Sequence, residues 1–368
     1  MARLRPGSGF FRPESRPSRD LGVLLGRRLA AQGPLRVLDA MAGCGIRGLR
    51  YCLESGAEAL WANDADPDRL PWLEANLAGL ARVRCTALTA QHLLADCLQR
   101  QERFGLVDLD AFGCPVPLLP LALEAVACNG ALYLASTDGR SPTGHDRPAA
   151  VRKLGAAARA HPASWELALR LQLGCVARAA WGQGRGIEPL FSFSEGRTFR
   201  TAVRLRRRAS PGQEGQLGLL AYCHGCGYQE VQPLLRLRQW QGCLCPPKPV
   251  APLAISGPLW IGPLQDPAFL AAMATEGHAS LGPGSGRLLA QLAADPGLPA
   301  CCWPTAEIGR RLGGGPPPLV ELVAALRAKG WLAVASGVMP AQVRSDAPWA
   351  EILQTAAQLV ARAPATAR

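Results

Sequence analysis

Six residues in the first third of the chain, Asp108-Leu109-Asp110-Ala111-Phe112-Gly113, bring two acids, an aromatic and a glycine to the end of an apolar run. The grouping suits methylation of an exocyclic amine on a planar base. Such an amine shares its lone pair with the ring and is a weak nucleophile. A carboxylate that accepts its N–H returns electron density and holds the nitrogen in line with the bond that breaks. Asp110 is the candidate acceptor, Phe112 the candidate platform on which the base stacks, and Gly113 lets the backbone bend away. Alone, the segment speaks only for amine chemistry on some planar base. Asp108 can instead be consumed by turn hydrogen bonds, and Phe112 by core packing.

A second constellation runs from Asp39 to Gly48. Gly43 and Gly45 allow a tight turn and close backbone approach to a ligand, with a helical pattern directly after them. Gly43 to Gly48 also satisfies G-x-G-x-x-G, a weak signal alone that fits a dinucleotide as well. Asp64, after Asn63, is placed to bind both hydroxyls of a ribose, as NAD and S-adenosylmethionine each require. Asp39 separates the two. An acid four residues before the first glycine suits the cationic amino-acid end of S-adenosylmethionine and would repel a pyrophosphate. Asp39 as the cap of a turn is the plainer alternative.

These residues need a sheet to position them. Short apolar runs at Leu35–Leu38, Ala59–Ala62, Leu106–Leu109 and Gly130–Ala135 alternate with longer helical patterns, the signature of an α/β domain. Phe199–Leu205 alternates as a late strand near the sheet edge. The basic run Arg206-Arg207-Arg208 and a Gly/Pro stretch mark a boundary. From about residue 301 the order is helix, Gly/Pro turn, helix, strand, which suits a winged-helix-like unit.

The net charge of +12, nearly all of it from arginine, points to a polyanionic partner. Thirteen cysteines, an odd and scattered set, argue against a secreted disulfide framework and for a reducing cytosol. No apolar signal core precedes Pro6 and no run reaches membrane-spanning length, so the expected location is cytoplasmic, with no membrane partner and no obligate protein partner.

With both sites in view, the chain resembles the tRNA guanine-26 N2-dimethyltransferase family over roughly residues 9–345. The resemblance rests on ordered segments: Phe10-Phe11-Arg12-Pro13 with Ser18-Arg19-Asp20; Gly45-Ile46-Arg47-Gly48; Asn63-Asp64; Asp108 to Gly113 followed by Pro115-Val116-Pro117; Thr137-Asp138; Arg185 to Ser194; and Gly257 to Leu264. It implies cofactor contacts at Arg19, Arg47 and Asp64, with Asp110 catalytic. It implies a Rossmann-like class I methyltransferase sheet and a smaller C-terminal α+β domain with zinc-knuckle-like and winged-helix-like parts. Thr89 and Ala90 stand where the family sets an acid-Ala pair near the adenine. Ala111 replaces the usual proline, which loosens the turn holding Asp110. Gly139-Arg140-Ser141-Pro142 also departs from the family pattern.

Some members carry two C-x-x-C pairs that hold a structural zinc. Here Cys223 and Cys226 match the first pair, and Cys243 with Cys245 form a tighter C-x-C. The expected organisation is a basic segment 1–20, a methyltransferase domain 21–208, a tRNA-binding domain 217–345 with the cysteine cluster, and a helix or tail 346–368. The expected product is N2-methyl- and then N2,N2-dimethylguanosine in tRNA. A methyltransferase for another RNA guanine, in rRNA or at a neighbouring tRNA position, stays open. So does an RNA-binding protein that keeps the fold without turnover. Candidate phosphate contacts are Arg204, Arg206, Arg207, Arg208, Arg310, Arg311 and Arg327.

Overall fold

The computed structural model describes residues 4–5, 11–241, 243, 245, 252–277 and 281–362; Phe10 of the N-terminal motif lies outside them. In chain order the elements are α1 (Arg16–Ala30), β1 (Arg36–Asp39), α2 (Ile46–Glu54), β2 (Ala59–Asn63), α3 (Leu70–Leu77), β3 (Val83–Thr86), α4 (Ala90–Gln99), β4 (Phe104–Ala111), α5 (Leu119–Ala125), β5 (Val126–Ser136), α6 (Arg147–Leu154), α7 (Ser164–Gly182), β6 (Gly186–Glu195) and β7 (Thr198–Arg206). There follow β8 (Leu217–Tyr222), β9 (Gln229–Pro233), β10 (Ala254–Trp260), α8 (Pro267–Gly277), α9 (Pro283–Ala294), β11 (Cys302–Pro304), α10 (Thr305–Leu312), α11 (Leu319–Ala328), β12 (Ala333–Ala335), β13 (Gln342–Ser345) and α12 (Trp349–Arg362).

Contacts divide the chain into two units, each discontinuous in sequence. One holds residues 1–139, 176–210 and 268–290; the other holds 140–175, 211–267 and 291–368. Segment 140–175, inside the linear span expected for the methyltransferase domain, thus packs with the C-terminal residues, and 268–290 packs with the first unit.

The first unit is built on a seven-stranded sheet of order β3-β2-β1-β4-β5-β7-β6. The first five strands are parallel, and β7 runs antiparallel between β5 and β6. This is the class I methyltransferase sheet that the resemblance implies. Its central strands are apolar on both faces: Leu106, Val107, Leu109, Leu132 and Leu134 are all buried, as a covered parallel sheet requires. Phe199–Leu205 lies in β7, one strand in from the edge. The edge itself is β6, which contains Pro189 at a shift in register; proline is tolerated in an edge strand or at a bulge because no ladder N–H is lost.

The second unit carries two three-stranded sheets, β10-β8-β9 and β11-β13-β12. The latter, with α10 and α11, gives the helix–turn–helix and strand order expected of a winged helix. Its core includes Ile308, Leu322, Leu326, Val343 and Ile352, and Trp303 stacks on Trp349 at 5.3 Å. A wholly buried ionic network binds its parts: Arg344 of β13 pairs with Glu166 (2.7 Å) and Asp295 (2.7 Å), and Arg170 pairs with Glu166 (2.8 Å). The two arginines hold the Glu166 carboxyl down to about 2 against the opposing effect of burial.

Candidate active site

A cavity of about 550 Å³ in the first unit is lined by the loops that follow β1, β2, β4 and β5, at the C-terminal edge of the parallel strands, where α/β sheets bind ligands. Asn63, buried at the end of β2, fixes the floor. Its side-chain amide donates to the carbonyls of Ala40 and Leu88, and its oxygen accepts from Leu88 N–H and the Thr86 hydroxyl. Three strand ends are tied by one side chain.

The β1 loop turns through Gly43 (φ 56°) and Gly45 (φ 83°), both left-handed. Gly43 N–H donates to Asp64 Oδ2 at 2.8 Å, and Asp66 N–H to Asp64 Oδ1 at 3.0 Å. A Cβ on Gly43 would meet nothing within 4 Å, whereas one on Gly45 would press on Leu73 at 2.8 Å. The first glycine therefore presents bare backbone to open space, and the second lets the loop pack.

At the other wall β4 delivers Asp110. Arg47, on the first turn of α2, lies 3.0 Å from Asp110 Oδ2 and 3.5 Å from Asp108 Oδ2. Arg200 of β7 reaches both oxygens of Asp110 at 3.1 Å. The two guanidinium groups overcome desolvation and hold the Asp110 carboxyl down to about 2. Its side chain keeps 27% of its accessible surface, so an ionised acceptor remains open to the cavity. Phe112, two residues on, is 79% exposed, and Phe11 joins it in the lining. Arg19 lies 5.0 Å over the Phe11 ring. Burial, with the charges of Arg47 and Arg50, lowers its pKa to about 10. Five arginines and three aspartates line the cavity, which leaves charge for an anionic group such as an amino-acid carboxylate. Open backbone at Gly43, a strand-end carboxylate at Asp64 and this cationic surplus fit S-adenosylmethionine.

The turn after Asp110 is not loose despite Ala111. Gly113 N–H donates to the Thr137 hydroxyl at 2.6 Å, and the Gly113 carbonyl accepts from the Ser136 hydroxyl (3.0 Å) and Thr137 N–H (3.1 Å). The end of β5 supplies the rigidity that a proline would give.

Arg19, Gly43, Arg47, Asp64, Asp110 and Phe112 are brought together on this cavity, and Gly45 lies between its lining residues Cys44 and Ile46. Asp39, Thr89 and Ala90 are not among the lining residues. Asp39 is fully buried and accepts Gly48 N–H at 3.0 Å, fixing the first turn of α2. Burial and the neighbouring Asp108 push its carboxyl well up. Thr89 caps α4, its hydroxyl accepting His92 N–H at 3.3 Å, and Ala90 is the buried first residue of that helix. Arg200 escaped sequence reading. The only signal was an arginine in the alternating run Phe199–Leu205 beside residues that face inward.

In the second unit Cys223, Cys226, Cys243 and Cys245 bring their sulfurs within 4.8 Å of one another. Tetrahedral thiolate–zinc bonds set sulfurs about 3.8 Å apart. The first pair sits on a knuckle closed by Gly227 N–H to the Cys223 carbonyl at 2.8 Å. A Cβ on Gly225 would lie 2.6 Å from the Cys245 sulfur, so glycine is required for the pairs to meet.

The profile of the N2,N2-dimethylguanosine tRNA methyltransferase family matches residues 5–357. The chain belongs to this family. Relatives named tRNA (guanine(26)-N(2))-dimethyltransferase are 29% identical in Pyrococcus horikoshii (94% of this chain, 91% of the relative) and 31% identical in Methanocorpusculum labreanum (93% and 89%). The structure of Trm1 from Pyrococcus horikoshii in complex with S-adenosyl-L-methionine superposes with a TM-score of 0.81 at 27% identity, covering 96% of both chains. This family membership accounts for the sheet order and for the composition of the cavity together.

Proposed function

We propose that the chain transfers methyl groups from S-adenosylmethionine to the exocyclic N2 amine of a guanine in tRNA, position 26 as in its relatives' names. The observation that carries the reading is Asp110: an ionised acceptor at a strand end, beside an exposed phenyl ring, in the same cavity as the Gly43–Asp64 cradle. The cofactor supplies an electrophilic methyl on a sulfonium. The chain does the rest. Asp64 accepts from ribose hydroxyls, and Arg19 and Arg47 pair with the amino-acid carboxylate. Phe112 stacks on the guanine. Asp110 accepts one N–H of the amine and orients the nitrogen lone pair towards the methyl. As the N–C bond forms and the S–C bond breaks, the amine proton passes to Asp110 and on to water. A carboxylate with a pKa of about 2 is a weak base, so Asp110 acts mainly by orientation and by stabilising developing positive charge. A second N–H on the same amine permits a second round.

The four cysteines hold one structural zinc in this reading, their number, proximity and knuckle matching a closed tetrahedral site. Exposed Arg207 and Arg208 are the candidate phosphate contacts. Arg206 is paired with Glu188 and Arg311 with Glu307, while Arg327 donates to the Ala333 carbonyl.

Asp110→Asn tests the catalytic assignment. Its expected kcat on tRNA is lower by about 10²–10³-fold, with cofactor affinity by calorimetry within about twofold of wild type. Full activity in this variant contradicts the role given to Asp110.

A further inference from the structure

We propose that Arg200 is a positioning residue for methyl transfer, a clamp reaching across the sheet that holds Asp110 in place independently of Arg47. The inference rests on the reading of Asp110 as the acceptor of the amine N–H.

Sheet register makes the clamp possible. Asp110 of β4 pairs with Ala135 of β5, and Ala135 pairs with Arg200 of β7. The three residues form one row across three strands. With strands about 4.8 Å apart, the outer two backbones are separated by roughly 10 Å. Only a long side chain on one outer strand can cross, and only over a small residue on the middle one. Ala135 is that residue, fully buried beneath the arginine. Arg200 then meets both Asp110 oxygens at 3.1 Å. Its Nε lies 3.4 Å from Glu195 Oε2, and its guanidinium 5.8 Å from the centre of the Tyr133 ring. Neighbours on three strands thus fix a side chain that is only 4% exposed.

Arg47 is held differently. It divides its donors among Asp110, Asp108 and the Ser18 hydroxyl, and it sits on the helix that follows the cofactor loop. It is also the arginine that the cofactor carboxylate would share. An acceptor that depended on Arg47 alone would be repositioned by cofactor binding, whereas one gripped from the sheet would not. Lysine is a poor substitute at this site, since a single ammonium cannot reproduce the planar fork that spans Asp110 and Glu195. The charged and titratable groups around this cluster are Arg19 of α1, Asp39 of β1, Arg47 and Tyr51 of α2, Asp108 of β4, Tyr133 of β5 and Glu195 of β6.

The experiment measures kcat per cofactor-binding site, KM for tRNA and cofactor affinity for the full chain as wild type, Arg200→Met, Arg200→Lys and Asp110→Asn, with a tRNA transcript as acceptor. Expected for Arg200→Met are cofactor affinity and KM within about twofold of wild type and kcat per site lower by about tenfold or more. Arg200→Lys recovers part of kcat. A merely structural role would lower the fraction of cofactor-binding enzyme without lowering kcat per site, and that result overturns the proposal. Wild-type kcat in Arg200→Met, with Asp110→Asn inactive, also overturns it while leaving the reading of Asp110 intact. Undiminished activity in Asp110→Asn removes that reading instead. Should Arg200→Met fail to bind cofactor, Arg200→Lys decides: an unchanged kcat there contradicts the clamp.

Discussion

At Asp110, two guanidinium groups about 3 Å away hold a carboxylate ionised while leaving a quarter of its surface open. An isolated carboxylate this well buried would take up a proton and lose its value as an acceptor. The arginines hold it down to about 2, ionised near neutral pH. Phe112 shows the complementary economy. Its phenyl ring is 79% exposed beside that carboxylate, and in the proposed function it stacks on the guanine. Base–aromatic stacking contributes about 1–3 kcal/mol. Phe112→Ala is therefore expected to lower kcat/KM for tRNA by roughly 5–150-fold and to leave cofactor affinity unchanged. Steady-state kinetics with varied tRNA check this. That Asp110, Phe112, Gly43 and Asp64 come to one cavity was legible because strand ends and glycine turns advertise themselves in sequence, whereas Arg47 came from the resemblance. The placement of Arg200 beside Asp110 was not legible, because it depends on a register across three strands that no local pattern encodes. Thr89, directly before a helix, also has the ordinary signature of an N-cap, and its hydroxyl caps α4.

Among the elements, most of the sheet could be read from apolar runs separated by turns, since a strand covered on both faces needs little else. The edge strand β6 could not. Its sequence, Gly186–Glu195, is interrupted by Pro189 and reads as a motif before it reads as a strand. Proline at a register shift in an edge strand keeps the pairing that it would break elsewhere. Segments 140–175 and 268–290 were likewise assigned by position along the chain, whereas their packing partners are set by tertiary contacts. The cysteine knuckle is an element-level feature with its own test. With all four sulfurs within 4.8 Å, a chelator is expected to remove one zinc per chain and lower Tm by several degrees, as loss of a structural metal does. Metal analysis and thermal melts before and after treatment check both parts. A chain that contains no zinc as isolated from zinc-replete cells would refute the assignment.

For the whole molecule, cohesion of the second unit depends on charges that no surface shows. Arg344 joins Glu166 to Asp295 across 178 and 49 residues of sequence. Removing one member of such a buried set strands the others, at a cost of about 3–5 kcal/mol. Arg344→Met is expected to lower stability by that amount near neutral pH. The sign with pH follows from Glu166. Its folded pKa of about 2 lies below the ordinary 4.5, so its stabilising contribution is fully present above about pH 5 and is lost as pH falls towards 2. The stability gap between wild type and variant should close over that interval, as measured by denaturant unfolding at several pH values. The +12 charge also belongs to this scale. If exposed arginines such as Arg207 and Arg208 meet phosphates, tRNA affinity should fall linearly with log salt, and replacing both should reduce the slope by about two.

The central claim is a methyl group on guanine N2 in tRNA. The chain should be incubated with unmodified tRNA and labelled S-adenosylmethionine, and the RNA digested to nucleosides for identification by mass. Labelled N2-methylguanosine is expected, followed by N2,N2-dimethylguanosine. Absence of any labelled guanosine from every tRNA tested, by a chain shown to bind the cofactor, would contradict it.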